Sequence, residues 1–240
     1  MADKIPYDKT PCTNDEFVKK LERRGLRIDD KERVCKYFDF IGYFRLSAYF
    51  LPYQSTKDQF NEGVEFDDIL NLYIFDRKLK LVLTDALERI EVAVRSAINN
   101  YMSVSKNDPH WFLDETHFDN YSPEKGKSFQ NYQGFLDSVK GSLTKQKDDL
   151  PVVHYHQKYS EPDFPPGWII MELLTFGQVS KTYSILQTKY KKRIAKKFKI
   201  SWRQLEAMLI SLTVLRNKCA HYQRVWNVNI SSPPSDMVMK

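Results

Sequence analysis

The sequence predicts an all-α fold, and three observations carry that expectation. Only 8 glycines occur in 240 residues, little material for the tight turns of a sheet-rich chain. From Glu65 to about Val104, an apolar face recurs at three- and four-residue steps with no glycine or proline inside. Its members are Ile69, Tyr73, Leu79, Leu83, Leu87, Ile90, Val94, Ala97 and Tyr101, and only Asp76 interrupts it. Helix-start signals also stand where such a fold needs them, at Thr13 and at Ser201.

Taken in order, TNDEFVKKLERRGL opens a helix with Thr13 at the cap, Glu16 three residues on, and Gly25 as terminator. DDKERVCKYFDFIGYFRLSAYFLPY then crowds together Tyr37, Phe38, Phe40, Tyr43, Phe44, Tyr49, Phe50 and Tyr53. Interleaved aromatics can stack on bases, but burial in a helical core is the plainer reading. The long helix follows, with Glu91 and Arg95 four apart on one face and able to pair. Residues 105–165 read as an irregular insertion, too poor in apolar residues for a core of their own. Within it, SFQNYQGFLDSVKGSLTKQKDD is one polar helix, and His154 and His156 are surface residues of a polar loop rather than metal ligands. A second helical block comprises GWIIMELLTFGQVSKTYSIL, a basic segment, and SWRQLEAMLISLTVLRNKCAHYQRVWN, where Leu205, Met208, Leu209, Leu212 and Leu215 form the apolar stripe. Residues 1–228 are expected to form one domain and 229–240 a mobile tail.

Lysine and arginine total 37 against 31 acidic residues, a net +6. The surplus is compatible with a polyanionic partner without establishing one. It is uneven: Lys189, Lys191, Lys192, Arg193, Lys196, Lys197 and Lys199 occur together with no acidic residue among them. Cys12, Cys35 and Cys219 have no paired spacing, which points away from a disulfide framework and toward a reducing cytosol. No run approaches the roughly 18 apolar residues of a membrane span, and the first residues lack a secretory signal. The expectation is a soluble cytoplasmic protein.

No glycine-rich phosphate loop, nucleophile elbow or H-E-x-x-H helix is present, so the familiar enzyme classes lack support. What remains is LRNKCAHYQRVWN, which places Arg216, Asn217 and His221 within six residues. A histidine can move a proton near neutral pH, and an arginine can hold charge on phosphorus. Together they suffice in principle to cleave RNA through its 2′-hydroxyl. On a helix Asn217 and His221 share a face, whereas Arg216 and His221 lie about 140° apart. One helix alone therefore aims the pair poorly at one phosphate. Either the arginine bends around, or a second copy of the motif faces the first across a two-fold interface.

R-N-K-C-A-H resembles the R-x4-6-H motif of HEPN domains, which are all-α modules. The chain more specifically resembles the abortive-infection Abi-like (AbiD/AbiF) family. IGYFRLSAYFLPY, FDRKLKLVLTDALERIEVAVRSAI, WIIMELLTFGQVSKTY and LRNKCAHYQRVWN carry the likeness, over roughly residues 15–228. The resemblance implies a HEPN-like helical bundle, a homodimer, and a metal-independent, cofactor-free endoribonuclease of anti-phage defence. By position, Arg216 and His221 would be catalytic and Asn217 the polar residue inside the motif, with Glu91 and Arg95 supporting. An inhibitory partner or a bound noncoding RNA is also implied. Two other readings stay open. One is an RNA-binding HEPN protein that grips a structured noncoding RNA with its basic segment and cuts little or nothing. The other is a toxin-like interaction protein that acts on one partner only.

Overall fold

The computed structural model describes residues 6, 10–119 and 131–230, and over these the protein is all-α apart from one small hairpin. The expected tail falls almost wholly outside the described residues. The chain divides into two compact units, Met1–Leu81 and Val82–Lys240. Each has its own apolar core.

The first unit begins with α1 (Asn14–Arg23), and the predicted capping box is present: Thr13 Oγ1 accepts from the Glu16 N–H, and the Glu16 carboxylate accepts from the Thr13 N–H. Gly25, at φ +89°, ends the helix with a Schellman pair, Gly25 N–H to Glu22 O and Leu26 N–H to Leu21 O. Helix α2 (Lys31–Phe40) and short α3 (Tyr43–Ser47) follow, then a hairpin of β1 (Gln54–Thr56) and β2 (Gln59–Phe60). Most of the aromatic cluster is core, with Phe38, Tyr49 and Phe50 buried and Tyr43 stacked on Phe17. Phe40 and Phe44 depart from that expectation, each 89% exposed.

Helix α4 (Phe66–Lys106) is the long predicted element, begun one residue late and ended two late. In its first unit, Asp76 is fully buried, which explains how a carboxylate can sit on an apolar face. Its Oδ2 accepts from Tyr49 Oη at 2.6 Å and from Lys80 Nζ at 2.9 Å. A buried ion pair contributes little net stability, yet breaking one side strands a charge. Asp76→Ala is expected to cost about 3–5 kcal/mol in denaturant unfolding. Asp76→Leu with Lys80→Met should restore most of it. A single variant as stable as wild type would show that Lys80 can reach water.

The second unit takes the end of α4, then α5 (Tyr132–Lys145), α6 (Leu150–Lys158), α7 (Gly167–Leu173), α8 (Phe176–Ile185), α9 (Thr188–Lys197) and α10 (Trp202–Ala220). Val94, Ile98 and Met102 of α4 meet Ile170, Val179, Tyr183, Leu205 and Leu209 in its core. The stretch read as an irregular insertion belongs to this core. Trp111, Phe112, Phe135, Val139 and Val152 are all buried in it, because Phe135 and Val139 fall four apart on α5 and pack toward α7 and α8. His154 and His156 sit on α6 rather than in a loop, and both are exposed. Gly167 begins α7 where a Cβ would lie 2.6 Å from Trp111 Nε1, so only glycine fits.

His117 is 6% exposed, with its ring edge-on to Tyr190 and its Nε2 3.6 Å from Asp114. Burial pushes this imidazole below the usual histidine range. Asp114 and Asp108 pull it back up, while Lys106 and Lys189 push it down. The unfolded chain therefore takes up a proton that the folded one resists. The His117 contribution to stability is complete above about pH 6.5 and is lost as pH falls toward the depressed folded value. Thermal unfolding of wild type and His117→Gln should show the wild-type advantage shrinking from about pH 7.5 to about pH 5.5. A constant gap would contradict the burial argument.

Candidate functional site

Helix α10 starts at Ser201, whose hydroxyl accepts from the Gln204 N–H and completes a capping box. It stops at Ala220, seven residues short of the predicted run to Asn227. His221 is the C-cap, and its N–H donates to Asn217 O at 2.9 Å. Tyr222 then turns left-handed at φ +55°, with Tyr222 N–H on Cys219 O and Gln223 N–H on Lys218 O. This is a Schellman motif built on a tyrosine, a conformation costing on the order of 1–2 kcal/mol for a residue with a Cβ.

Immediately before this stop, Arg216 lines a cleft of about 400 Å³ together with Glu88, Glu91, Arg95, Glu172 and Cys219. Arg216 Nε lies 3.4 Å from Glu91 Oε2, with the arginine side chain 39% exposed and the glutamate 12%. The other Glu91 oxygen accepts from Arg95 Nη2, so the predicted i, i+4 pair is formed. Arg95 is the buried strut of the group. Its Nη1 donates to Met171 O at 2.6 Å and Glu172 O at 3.2 Å, carbonyls at the end of α7 that lack helical partners. One carboxylate thus links α4 to α10, while one guanidinium links α4 to α7.

Three carboxylates face two guanidiniums here, so the cleft carries no surplus of positive charge. Arg216 is half-exposed, and an ion pair in that position contributes about 0–1 kcal/mol. A phosphate, which accepts two parallel bonds from a guanidinium, can compete for it. Asn217 and His221 are both exposed and do not line the cleft. The structure therefore brings Arg216, Glu91 and Arg95 together and leaves His221 outside them, as the 140° separation anticipates. Glu172 and Glu88 were not among the sequence candidates. Glu172 reaches the cleft through α7, though it is the lone charge in WIIMELL.

The basic segment forms α9 and its exit. Lys189, Lys192, Arg193, Lys196, Lys197 and Lys199 are exposed. Lys191 is a correction to the expected set of seven presented cations, because it is buried at 5%. Its Nζ donates to Ser184 O at 2.8 Å and to Glu206 Oε2 at 3.1 Å, and it stands over the Trp202 ring. It braces α8 and α10 and is not presented to a partner. Among the described residues, no group of three or more His, Cys, Asp or Glu side chains is arranged to hold a metal ion. Nor is any helix among them long and apolar enough to cross a membrane.

A family model described as Abi-like protein matches residues 36–227. No curated protein and no solved structure matches the chain.

Proposed function

The chain belongs to the Abi-like protein family, and on that premise we propose that it serves abortive infection as a HEPN-type endoribonuclease whose cutting step needs no metal. One observation carries the reading. The motif arginine, Arg216, faces a cleft and is held by a weak ion pair, while the motif histidine, five residues on, is exposed at the helix end.

In the proposed reaction, imidazole takes the proton of an RNA 2′-hydroxyl, and that oxygen attacks the adjacent phosphorus. The guanidinium stabilises the charge gathering on the phosphoryl oxygens. The bond to the 5′-oxygen breaks, and the leaving oxygen takes up a proton. The products are a 2′,3′-cyclic phosphate and a 5′-hydroxyl. Glu91 holds Arg216 until phosphate replaces it, and Arg95 holds Glu91. Asn217 orders the helix end beneath His221. No cofactor enters this scheme.

Since Arg216 and His221 diverge within one chain, the proposed site is composite, with arginine from one protomer and histidine from its partner. Complementation tests this directly. Arg216→Ala and His221→Ala proteins should each be inactive, whereas a mixture allowed to exchange protomers should regain about a quarter of wild-type cleavage, because half the dimers are mixed and each holds one intact site. No recovery in a mixture shown to contain mixed dimers would overturn the composite site.

A second reading is favoured by the acidic balance of the cleft and by the exposed cations of α9. In it, the protein grips a structured noncoding RNA through Lys189, Lys192, Arg193, Lys196, Lys197 and Lys199 and cuts little. Binding would then fall steeply with salt and leave intact RNA. A restraining RNA or protein partner is compatible with either reading.

A further inference from the structure

A second cavity of about 340 Å³ lies in the unit Val82–Lys240, and the proposed cleavage chemistry does not use it. Two hydrogen bonds draw its walls together. Tyr155 Oη donates to Pro162 O at 2.7 Å, fastening the 161–166 segment to α6. Gly167 N–H donates to Pro109 O at 2.7 Å, bringing the start of α7 against His110. The volume is at the small end of the range for small-molecule sites, roughly 300–1,000 Å³.

Two features of the lining point to one kind of ligand. Trp168 and Tyr159 border the cavity yet remain 51% and 49% exposed, leaving broad ring surface open for stacking. At the rim, the exposed carboxylate of Glu161 accepts hydrogen bonds and cannot donate. A flat ring with two adjacent N–H donors on its edge satisfies both. Guanine has that edge, with N1–H and N2–H for a carboxylate. Adenine turns a lone pair toward a carboxylate at the same place, and pyrimidines stack over less area. Lys158, whose Nζ lies 5.4 Å from the Tyr159 ring centre, adds a cation beside the cavity for a phosphate.

We propose that this cavity binds a single unpaired guanine base, stacked on Trp168, with Glu161 accepting from N1–H and N2–H. A free guanine nucleotide and a guanosine in an RNA strand present the same chemistry. The RNA source rests on the RNA reading above, whereas the nucleotide source does not.

The test uses the full chain carrying His221→Ala, so that RNA stays whole. Calorimetry compares GMP, AMP, CMP and UMP, and anisotropy compares labelled RNA strands of one length with a single unpaired G or A. GMP is expected to bind at least about tenfold more tightly than the other three. Trp168→Ala and Glu161→Gln, both at exposed positions, should each remove that preference without changing the melting curve. Tighter binding of the G-bearing strand assigns the site to RNA, and a GMP preference without strand discrimination assigns it to the free nucleotide. Equal or absent binding of all four nucleotides together with no strand preference overturns the proposal. So does an unchanged preference in Glu161→Gln, or a proline-rich peptide that occupies the cavity in place of GMP. Loss of cleavage chemistry would leave guanine binding standing, and loss of guanine binding would leave cleavage standing, so the two failures are distinguishable.

Discussion

Purified His221→Ala protein should lose RNA cleavage by at least about a hundredfold, the typical contribution of a positioned general acid or base. It should unfold at the wild-type temperature. The second expectation follows from placement: the side chain of His221 is exposed, and its structural duty, the N–H bond to Asn217 O, belongs to the backbone. Arg216→Ala should fall by a similar factor, since a guanidinium on the phosphoryl oxygens acts where charge develops. Its stability should change by less than about 1 kcal/mol, because its ion pair with Glu91 is half-exposed. Arg216→Lys should recover only part of the activity, as an ammonium cannot bond two phosphoryl oxygens in the planar fork. Kinetics on short RNA strands, with a melting curve for each variant, checks all three. Full activity in His221→Ala would remove the histidine from the reaction.

Arg95→Ala should instead act through the fold. Its guanidinium is 8% exposed and supplies hydrogen bonds to two α7 carbonyls and to the Glu91 carboxylate. Alanine leaves both carbonyls without their donor, and leaves the largely buried Glu91 carboxylate with Arg216 as its remaining ion-pair partner. The expected loss is about 3–5 kcal/mol of unfolding free energy, the range for breaking one side of a buried ion pair. Cleavage should fall as well, since Glu91 would no longer be held in place against Arg216. Glu91→Gln separates the two effects. It keeps a hydrogen-bonding side chain of the same length while removing the charge that competes with phosphate. It should retain more stability than Arg95→Ala and tighten phosphate or RNA binding. If Glu91→Gln weakens binding, Glu91 positions Arg216 and does not restrain it.

What the sequence could and could not foretell follows from the range of the interactions involved. Local patterns are visible in one dimension. The capping boxes at Thr13 and Ser201, the stop at Gly25, the long periodic run of α4 and the Glu91–Arg95 spacing all depend on residues within a few positions of one another. The Glu91–Arg216 contact joins side chains 125 positions apart, and no spacing rule can reach it. The early end of α10 was hidden for another reason. The left-handed stop falls on Tyr222, where sequence rules look for glycine or asparagine. Lys191 was within reach. It lies three and four residues before Ile194 and Ala195, on the buried face of α9, and the same periodicity that defined α4 places it inside. The 105–165 stretch misled through its average composition. Its few large apolar residues, Trp111, Phe112 and Phe135 among them, are concentrated where the second unit needs them.

The chemistry of the cut ends reports most directly on the central claim, that imidazole and guanidinium cleave RNA through its own 2′-hydroxyl. Wild-type protein should be incubated in EDTA with a single-stranded RNA and with the DNA strand of the same sequence, and the fragments weighed by mass spectrometry. On this chemistry, RNA fragments end in a 2′,3′-cyclic phosphate and begin with a 5′-hydroxyl, and DNA stays intact. Fragments with 3′-hydroxyl and 5′-phosphate ends, or a cut DNA strand, would contradict it.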